Sequence, residues 1–193
     1  MIACIVSGVF FFQPAMTLAE SDKLTGFEKQ TFDIASRCRD EVVNRFELLL
    51  KNGKLSVGQL FDTFYIPIPN TYPQKFHTQY DKLFDSNIMN LLDSNLKKNS
   101  HFIYFIITDV NGYVPTHNSK YSQPLTGNKE VDIRKNRTKI IFNDRTGLAA
   151  ARNTSPYLLQ EYARDTGEMI YDLSLPIVVR GQHWGCVRVG FSK

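Results

Sequence analysis

The stretch HFIYFIIT, His101 to Thr108, followed at once by Asp109-Val-Asn-Gly112, decides the fold. Its side chains are apolar on both alternating faces, which is typical of a strand covered on both sides. The Asn-Gly pair predicts a hairpin turn, with Tyr113 to His117 as the return strand. A sheet that opens with such a strand needs a layer of structure on each face.

Before this strand, the apolar residues recur with the period of an α-helix. They form one stripe between Phe27 and Lys51, and Asn52-Gly53 supplies residues that tolerate a left-handed helix end. Prolines exclude a long helix between Leu55 and Pro73, where we expect a short helical turn and then a loop. Gln74 to Leu96 is helical again by its pattern. The sequence therefore predicts helices within residues 27–98.

After this strand, runs linked by turns predict the rest of the sheet. A polar excursion and a short helix separate the hairpin from three further strands, in residues 157–164, 168–179 and 183–191. The predicted fold is α+β, with a long N-terminal helix and a second helix packed on a five-stranded antiparallel sheet within residues 101–191. The chain length suits one domain, residues 20–193.

The first nineteen residues, Met1 to Ala19, contain no charged residue and include the apolar run Ile2 to Phe12. Thr17 and Ala19 occupy the −3 and −1 positions of a cleavage site before Glu20. This pattern predicts a signal peptide, although the basic residues that usually precede such a run are missing. A signal anchor and a buried element of the domain are the alternatives. We expect a periplasmic or secreted chain with no membrane segment once residues 1–19 are removed.

Composition and cysteine usage narrow the class of protein. The chain is 42% hydrophobic and 22% charged, with a net charge of +4. These are globular values, and the basic residues are scattered among acids, so we expect no nucleic-acid partner. Removal of the signal peptide takes Cys4 with it. Cys38 and Cys186 then either form one disulfide or remain buried free thiols.

Several strings in the second half of the chain resemble a known family. Asp109 to Asn118 resembles the hairpin that follows the first central strand of Cache-type, PAS-like sensor domains. The strings that resemble the sensor regions of bacterial methyl-accepting chemotaxis receptors are Asn136-Arg137, Ile141 to Asp144, Gly147 to Asn153, Leu159-Gln160, Arg164 to Glu168, Asp172 to Ile177 and Gly181 to Gly185. The resemblance covers about Leu55 to Phe191. It implies an extracytoplasmic PAS-like fold that detects a small molecule.

Two departures from these receptors bear on cofactors and signalling. Some relatives carry C-x-x-C-H for covalent haem, whereas the nearest string here, Cys38 to Val42, lacks the second cysteine and the histidine. Covalent haem is therefore not expected, non-covalent haem stays open, and no other cofactor is indicated. Receptors also need a second membrane helix and a cytoplasmic coiled coil, which these 193 residues lack. We expect a sensor-type module without its own transducer.

The residues indicate no catalytic or metal site. His183 and Cys186 lie three apart on one strand and so face opposite sides of the sheet. Glu168 and Asp172 share a face but lie about 13 Å apart, too far for a glycosidase pair. The four histidines show no metal-ligand spacing. We therefore expect neither an enzyme nor a metalloprotein.

Alternation along the later strands predicts a polar sheet face. In residues 168–179 the odd-numbered side chains are apolar and form the core, and the even-numbered ones lie opposite. The candidate ligand contacts on the strands are Gln160, Tyr162, Asp172, Ser174, Trp184 and Arg188. Two interpretations stay open: a pocket for a polar ligand, or an ion-paired face in which Asp172 and Arg188 form a cross-strand pair.

Three more candidates lie at element ends. His117 ends the predicted return strand, in a region that the family uses near its pocket, and it either lines that pocket or hydrogen-bonds within the hairpin. Arg152 and Asn153 end the short helix, where they either contact a ligand or anchor the loop. The sequence thus predicts an exported small-molecule-binding domain. The alternative is an exported protein-interaction module that reuses the fold, with the long N-terminal helix as the face of a homodimer.

Overall fold

The computed structural model describes residues 23–24, 26–163 and 168–192, so the expected signal peptide lies outside the described residues. The helices are α1 (Gly26–Lys51), α2 (Val57–Leu60), α3 (Asp81–Asn87), α4 (Met89–Leu96), α5 (Lys129–Lys135) and α6 (Arg145–Ala151). The strands are β1 (Ile66–Ile68), β2 (Lys75–His77), β3 (Phe102–Asp109), β4 (Leu158–Ala163), β5 (Met169–Val179) and β6 (Gln182–Phe191). Within these ranges, no helix is long and apolar enough to cross a membrane.

The main sheet is antiparallel, in the order β3-β6-β5-β4, and a separate two-stranded sheet joins β1 to β2. The α+β class, the long N-terminal helix and the three late strands are confirmed. The predicted helix at Gln74 to Leu96 is partly wrong, because its first residues form β2. There the backbone pairs with β1, and the N–H of Phe76 donates to the carbonyl of Lys139. Such tertiary pairing overrides a helical pattern.

The prediction of five strands was wrong at the return strand, residues 113–117. Val114 exchanges backbone hydrogen bonds with Lys139 and Ile140, which lie in the same covering segment. The free edge of β3 is bonded instead by a side chain, since the N–H of Phe105 donates to Oδ1 of Asn118 at 2.8 Å. The chain thus leaves the sheet after the hairpin and covers it.

The long helix α1 covers one face of the sheet, called here the helix face. Its predicted stripe is buried, including Cys38, Val42 and Phe46. Phe46 stacks on Phe84 of α3 with ring centres 4.6 Å apart, and Trp184 of β6 meets the edge of Phe46 at 5.0 Å. This aromatic cluster joins helices and sheet into one core, and burial of apolar area stabilises it.

A β-bulge changes the alternation of β6. Ile177 of β5 pairs with Gly185, but Val178 pairs with His183, so Trp184 is one extra residue. The bulge directs Trp184 to the helix face, where its Nε1–H donates to the carbonyl of Leu60 at 2.9 Å. A Cβ atom at Gly185 would overlap the backbone of Thr108, so glycine permits the close approach of β3.

The hairpin after β3 is held by one buried carboxylate, Asp109. Its Oδ2 accepts from the hydroxyls of Tyr65 at 2.6 Å and Tyr80 at 2.9 Å. Its Oδ1 accepts from the backbone N–H groups of Asn111 and Tyr113. Burial raises the pKa of Asp109 and these hydrogen bonds oppose the shift. The carboxylate therefore fixes both the turn and the loop before β1.

The other face of the sheet, called here the cover face, lies under residues 113–151, which we call the cover. Helix α6 of the cover contacts β4, β5 and β6, and Asp144 caps its start by accepting from the N–H of Gly147 at 2.9 Å. Lys139 fastens the cover to α3, since its Nζ donates to Asp85 at 2.7 Å. On α4, Asp93 accepts from the backbone N–H of Ser119 at 2.9 Å. The cover is thus tied to both helices.

Candidate functional site

The cover face carries a buried ion pair at its centre. Arg188 donates to Asp172 from Nε at 3.0 Å and from Nη2 at 2.7 Å. The hydroxyl of Tyr104 donates to the same carboxylate at 3.0 Å. Asp172 is fully buried, and Arg188 is 5% exposed. The predicted even-numbered face of β5 and the cross-strand pair are therefore both present in the structure.

Burial and charge set the protonation of this group. Burial alone lowers the pKa of Arg188, but the charge of Asp172 reverses the shift and holds that pKa well above its usual value. Burial and the same carboxylate raise the pKa of Tyr104, so its phenol stays a neutral donor. Nη1 of Arg188 has no hydrogen-bond partner in the described part of the chain. One guanidinium nitrogen, which carries two N–H groups, is thus left for another group.

Two more of the predicted strand residues border this pair. The hydroxyl of Tyr162 on β4 lies 3.2 Å from the hydroxyl of Tyr104. Ser174 is fully buried, and its Oγ lies 3.5 Å from the carbonyl of Leu158. Gln160 donates from Nε2 to a carbonyl at the start of α6 at 3.1 Å, and thereby ties β4 to the cover. The structure therefore brings the predicted β4 and β5 residues together.

His117 lies in the cover, next to Tyr104. It is 3% exposed, and its ring centre is 6.4 Å from that of Tyr104 and 5.0 Å from that of Tyr121. Its Nδ1 accepts from the backbone N–H of Asn118 at 2.7 Å, which assigns the proton of the neutral ring to Nε2. That Nε2–H donates to none of the described residues.

Positive charges surround His117. Burial lowers the pKa of His117 most, and Arg137, Lys120, Lys75 and Arg188 lower it further, in that order. The ring is therefore neutral at neutral pH and acts as an N–H donor in a cationic environment.

Lys75 of β2 was not predicted as a site residue. It is 3% exposed, and its Nζ donates to the backbone carbonyls of Asn136 at 3.0 Å and Thr138 at 2.7 Å. Burial and the neighbouring Lys139 lower its pKa to about 8. Three buried oxygens of the cover have no hydrogen-bond partner within the described ranges: Thr116 Oγ1, Asn136 Oδ1 and Thr138 Oγ1. The sequence held no signal for this cluster, because Lys75 falls in a predicted helix.

Three predicted residues lie away from the buried group. Trp184 was predicted on the face of Arg188, and this was wrong because the bulge moves it to the helix face. Arg152 is exposed, and its Nε donates to the carbonyl of Val110 in the hairpin at 3.3 Å. Asn153 exchanges hydrogen bonds with the backbone of Ser155 and closes its own loop. The last two therefore anchor loops.

The two cysteines lie on opposite sides of the sheet and are free. Cys38 packs on the helix face, whereas Sγ of Cys186 lies 3.2 Å from the hydroxyl of Thr108 on the cover face. The structure therefore shows the free thiols that the sequence left open, and not the disulfide. Burial raises the pKa of both thiols to about 12. Among the described residues, no group of three or more metal-ligating side chains is assembled.

A cleft of about 460 Å³ opens at the start of α1. Its lining residues are Lys23, Leu24, Glu28 and residues 155–159. None of the nine predicted ligand contacts lines this cleft, and it is separate from the buried polar group of the cover face.

Comparison with known proteins finds distant likenesses among solved structures alone. No family model matches the chain, and no curated protein matches it. A solved extracellular ligand binding receptor from Desulfohalobium retbaense DSM5692 is similar at 13% sequence identity, with a TM-score of 0.41. The alignment covers 84% of this chain and 25% of the receptor. The chain thus spans about a quarter of the receptor's length.

Proposed function

We propose that this chain is an exported small-molecule-binding module of the PAS-like Cache sensor type, whose ligand binds between the cover and the cover face. The observation that carries the proposal is the buried Asp172–Arg188 pair, with the Nη1 nitrogen of Arg188 left unused by the described residues. The sequence resemblance to chemotaxis-receptor sensor regions supports the same assignment. Neither a catalytic role nor a cofactor is part of this proposal.

The energetics of the pair favour a binding role. Desolvation of two charges costs several kcal/mol per ion, and replacement of such pairs by apolar residues is often neutral or stabilising. A face that served only as core would need no guanidinium. A forked donor held rigid by Asp172, beside the phenols of Tyr104 and Tyr162, suits recognition of a polar ligand.

The test is a thermal-shift screen of the exported chain with amino acids, small carboxylates, sugars and haem. A ligand that binds the native state raises the melting temperature. We expect the increase to persist in Arg152→Gln, which alters an exposed loop anchor, and to shrink in Arg188→Lys, which keeps the charge but loses the fork. A screen without any hit, or a hit that Arg188→Lys leaves unchanged, contradicts the proposal.

Export itself is tested by mass spectrometry of the protein recovered outside the cytoplasm. We expect a chain that begins at Glu20, because the uncharged apolar run and the small residues before it match a cleavage site. A recovered chain with Met1 intact contradicts the signal peptide.

A second candidate function, protein binding, is favoured by one surface. Phe64 is 74% exposed, and Ile66 and Tyr72 are each more than half exposed on the loop and strand before β2. Exposed apolar groups of this kind mark interaction sites. The homodimer through α1 stays a prediction, and sedimentation of the exported chain measures it. Loss of a protein partner in Phe64→Ser, with no ligand found in the screen, would favour this second function.

A further inference from the structure

Lys75 and several buried polar groups of the cover lie on neighbouring segments of the chain. Two stretches of the cover, residues 112–114 and 139–142, are hydrogen-bonded to each other as an antiparallel pair, and residues 116 and 138 lie beyond the same end of that pair. Lys75 reaches the residues just before the second stretch from β2, through its two backbone acceptors. The buried hydroxyls of Thr116 and Thr138 have no hydrogen-bond partner in the described ranges. No described residue accepts from the Nε2–H of His117, whose Nδ1 is bonded to the N–H of Asn118. Lys75 and Thr138 are thus in contact, and Thr116 and His117 follow the stretch that pairs beside Thr138.

The charge of this region is positive and unbalanced. Arg188 has Asp172 as its counter-charge, but Lys75 donates only to backbone carbonyls. No carboxylate of a described residue lies within 4.0 Å of the Lys75 Nζ. Asp132 is the carboxylate whose charge raises the pKa of Lys75. It already accepts hydrogen bonds from Thr126 and from the N–H of Gly127. A buried ammonium without an ionic partner costs free energy, and a bound anion would supply the missing counter-charge.

We infer that Lys75, His117 and the hydroxyls of Thr116 and Thr138 form an anion-binding subsite, which holds the oxyanion of a small ligand. This inference rests on the proposed function and specifies its ligand class: a carboxylate, or an inorganic oxyanion of the same size. The ammonium supplies the charge, the imidazole supplies a neutral N–H, and the hydroxyls rotate to donate. The Nδ2 of Asn136 is bonded to the carbonyl of Gln123 at 2.6 Å, so its amide oxygen would accept from a hydroxyl of the ligand, such as that of glycolate.

The experiment measures binding of acetate, glycolate and inorganic phosphate to the exported chain by calorimetry and thermal shift, with chloride at equal ionic strength as the baseline. A carboxylate ligand is indicated if acetate or glycolate binds and phosphate does not, and an inorganic oxyanion if the order is reversed. Both results support the subsite. If none of the three binds above the chloride baseline, the subsite is overturned.

Variants locate the binding. Lys75→Met removes the ammonium, and we expect the Kd for the anion to rise about 10- to 100-fold, as for loss of a charged hydrogen bond. Thr138→Val keeps the side-chain shape and should raise the Kd about 2- to 10-fold, so the test survives if Lys75→Met fails to fold. Lys82→Met removes an exposed lysine of α3 and serves as the control, with an unchanged Kd. Binding that is equally strong in all three variants overturns the subsite.

The inference and the proposed function fail differently. If a neutral compound binds in a manner that depends on Arg188 and no anion binds, the sensor function stands and the anion subsite is wrong. If no compound binds, both are wrong.

Discussion

Replacement of Asp172 by asparagine removes the counter-charge of Arg188 and changes little in shape. The guanidinium stays buried at 5% exposure, with Nε and Nη2 now facing a neutral amide. Removal of one partner from a buried pair costs about 3–5 kcal/mol, because the remaining charge is uncompensated. For a domain of this length each kcal/mol lowers the melting temperature by about 2–4 °C, so we expect a decrease of roughly 6–20 °C.

Removal of both charges should reverse most of that loss. In the double variant Asp172→Leu with Arg188→Met no buried ion remains, and such replacements are often neutral or stabilising. Asp40→Asn is the matched control, since Asp40 pairs with Arg39 at the surface with its side chain 63% exposed, and exposed pairs contribute about 0–1 kcal/mol. Urea unfolding followed by circular dichroism gives the free energy of unfolding for each variant.

Two results would refute this reasoning. A cost below about 1 kcal/mol for Asp172→Asn would mean that the pair is hydrated and that the cover does not exclude water. A double variant less stable than Asp172→Asn alone would mean that the pair stabilises the fold by itself, and the argument for a binding role would lose its basis.

The close approach of β3 to β6 predicts that Gly185→Ala lowers the free energy of unfolding by about 1–3 kcal/mol, because the added methyl group would overlap β3. Gly58→Ala is the control, since its methyl group meets open space and should cost nothing. Urea unfolding compares the two variants. Trp184→Phe should cost about 1–3 kcal/mol by leaving a buried carbonyl unbonded, and an unchanged melting curve would contradict the assigned hydrogen bond. Cys38 and Cys186 of the folded protein should react slowly with a thiol reagent at pH 8, because burial raises the pKa of both thiols to about 12. Both should react completely in guanidinium. Rapid labelling of the native protein would disprove their burial.

Much of the fold was predictable because periodic burial dominates it. The stripe on α1 and the alternation along β5 are each set by one packed face, so the pattern alone places Phe46 inside and Asp172 opposite the core. The pairing of Asp172 with Arg188 was one of two open interpretations. The alternation along the two strands was enough to place both residues on one face.

The rest depends on contacts between distant segments. The pattern at residues 113–117 is that of a strand, but Val114 is bonded to Lys139 and Ile140 of the same cover and not to the sheet. Periodicity does not identify a partner. Trp184 was misplaced because one extra residue reverses alternation on a single strand. Lys75 resembles any helical surface lysine in sequence, and only the folded cover surrounds it with carbonyls.

The carboxylate of Asp109 makes three remote pieces of the chain interdependent. Its two phenol donors, Tyr65 and Tyr80, lie 44 and 29 residues earlier, and its N–H donors belong to its own hairpin. The buried carboxylate has all of its hydrogen bonds only when these four donors are in place. A partly folded chain that buries Asp109 without them pays the cost of desolvation and lacks the compensating bonds. Local opening of any one piece exposes the others to the same cost. The hairpin tip, the loop before β1 and the start of α3 therefore order and open as one cooperative unit.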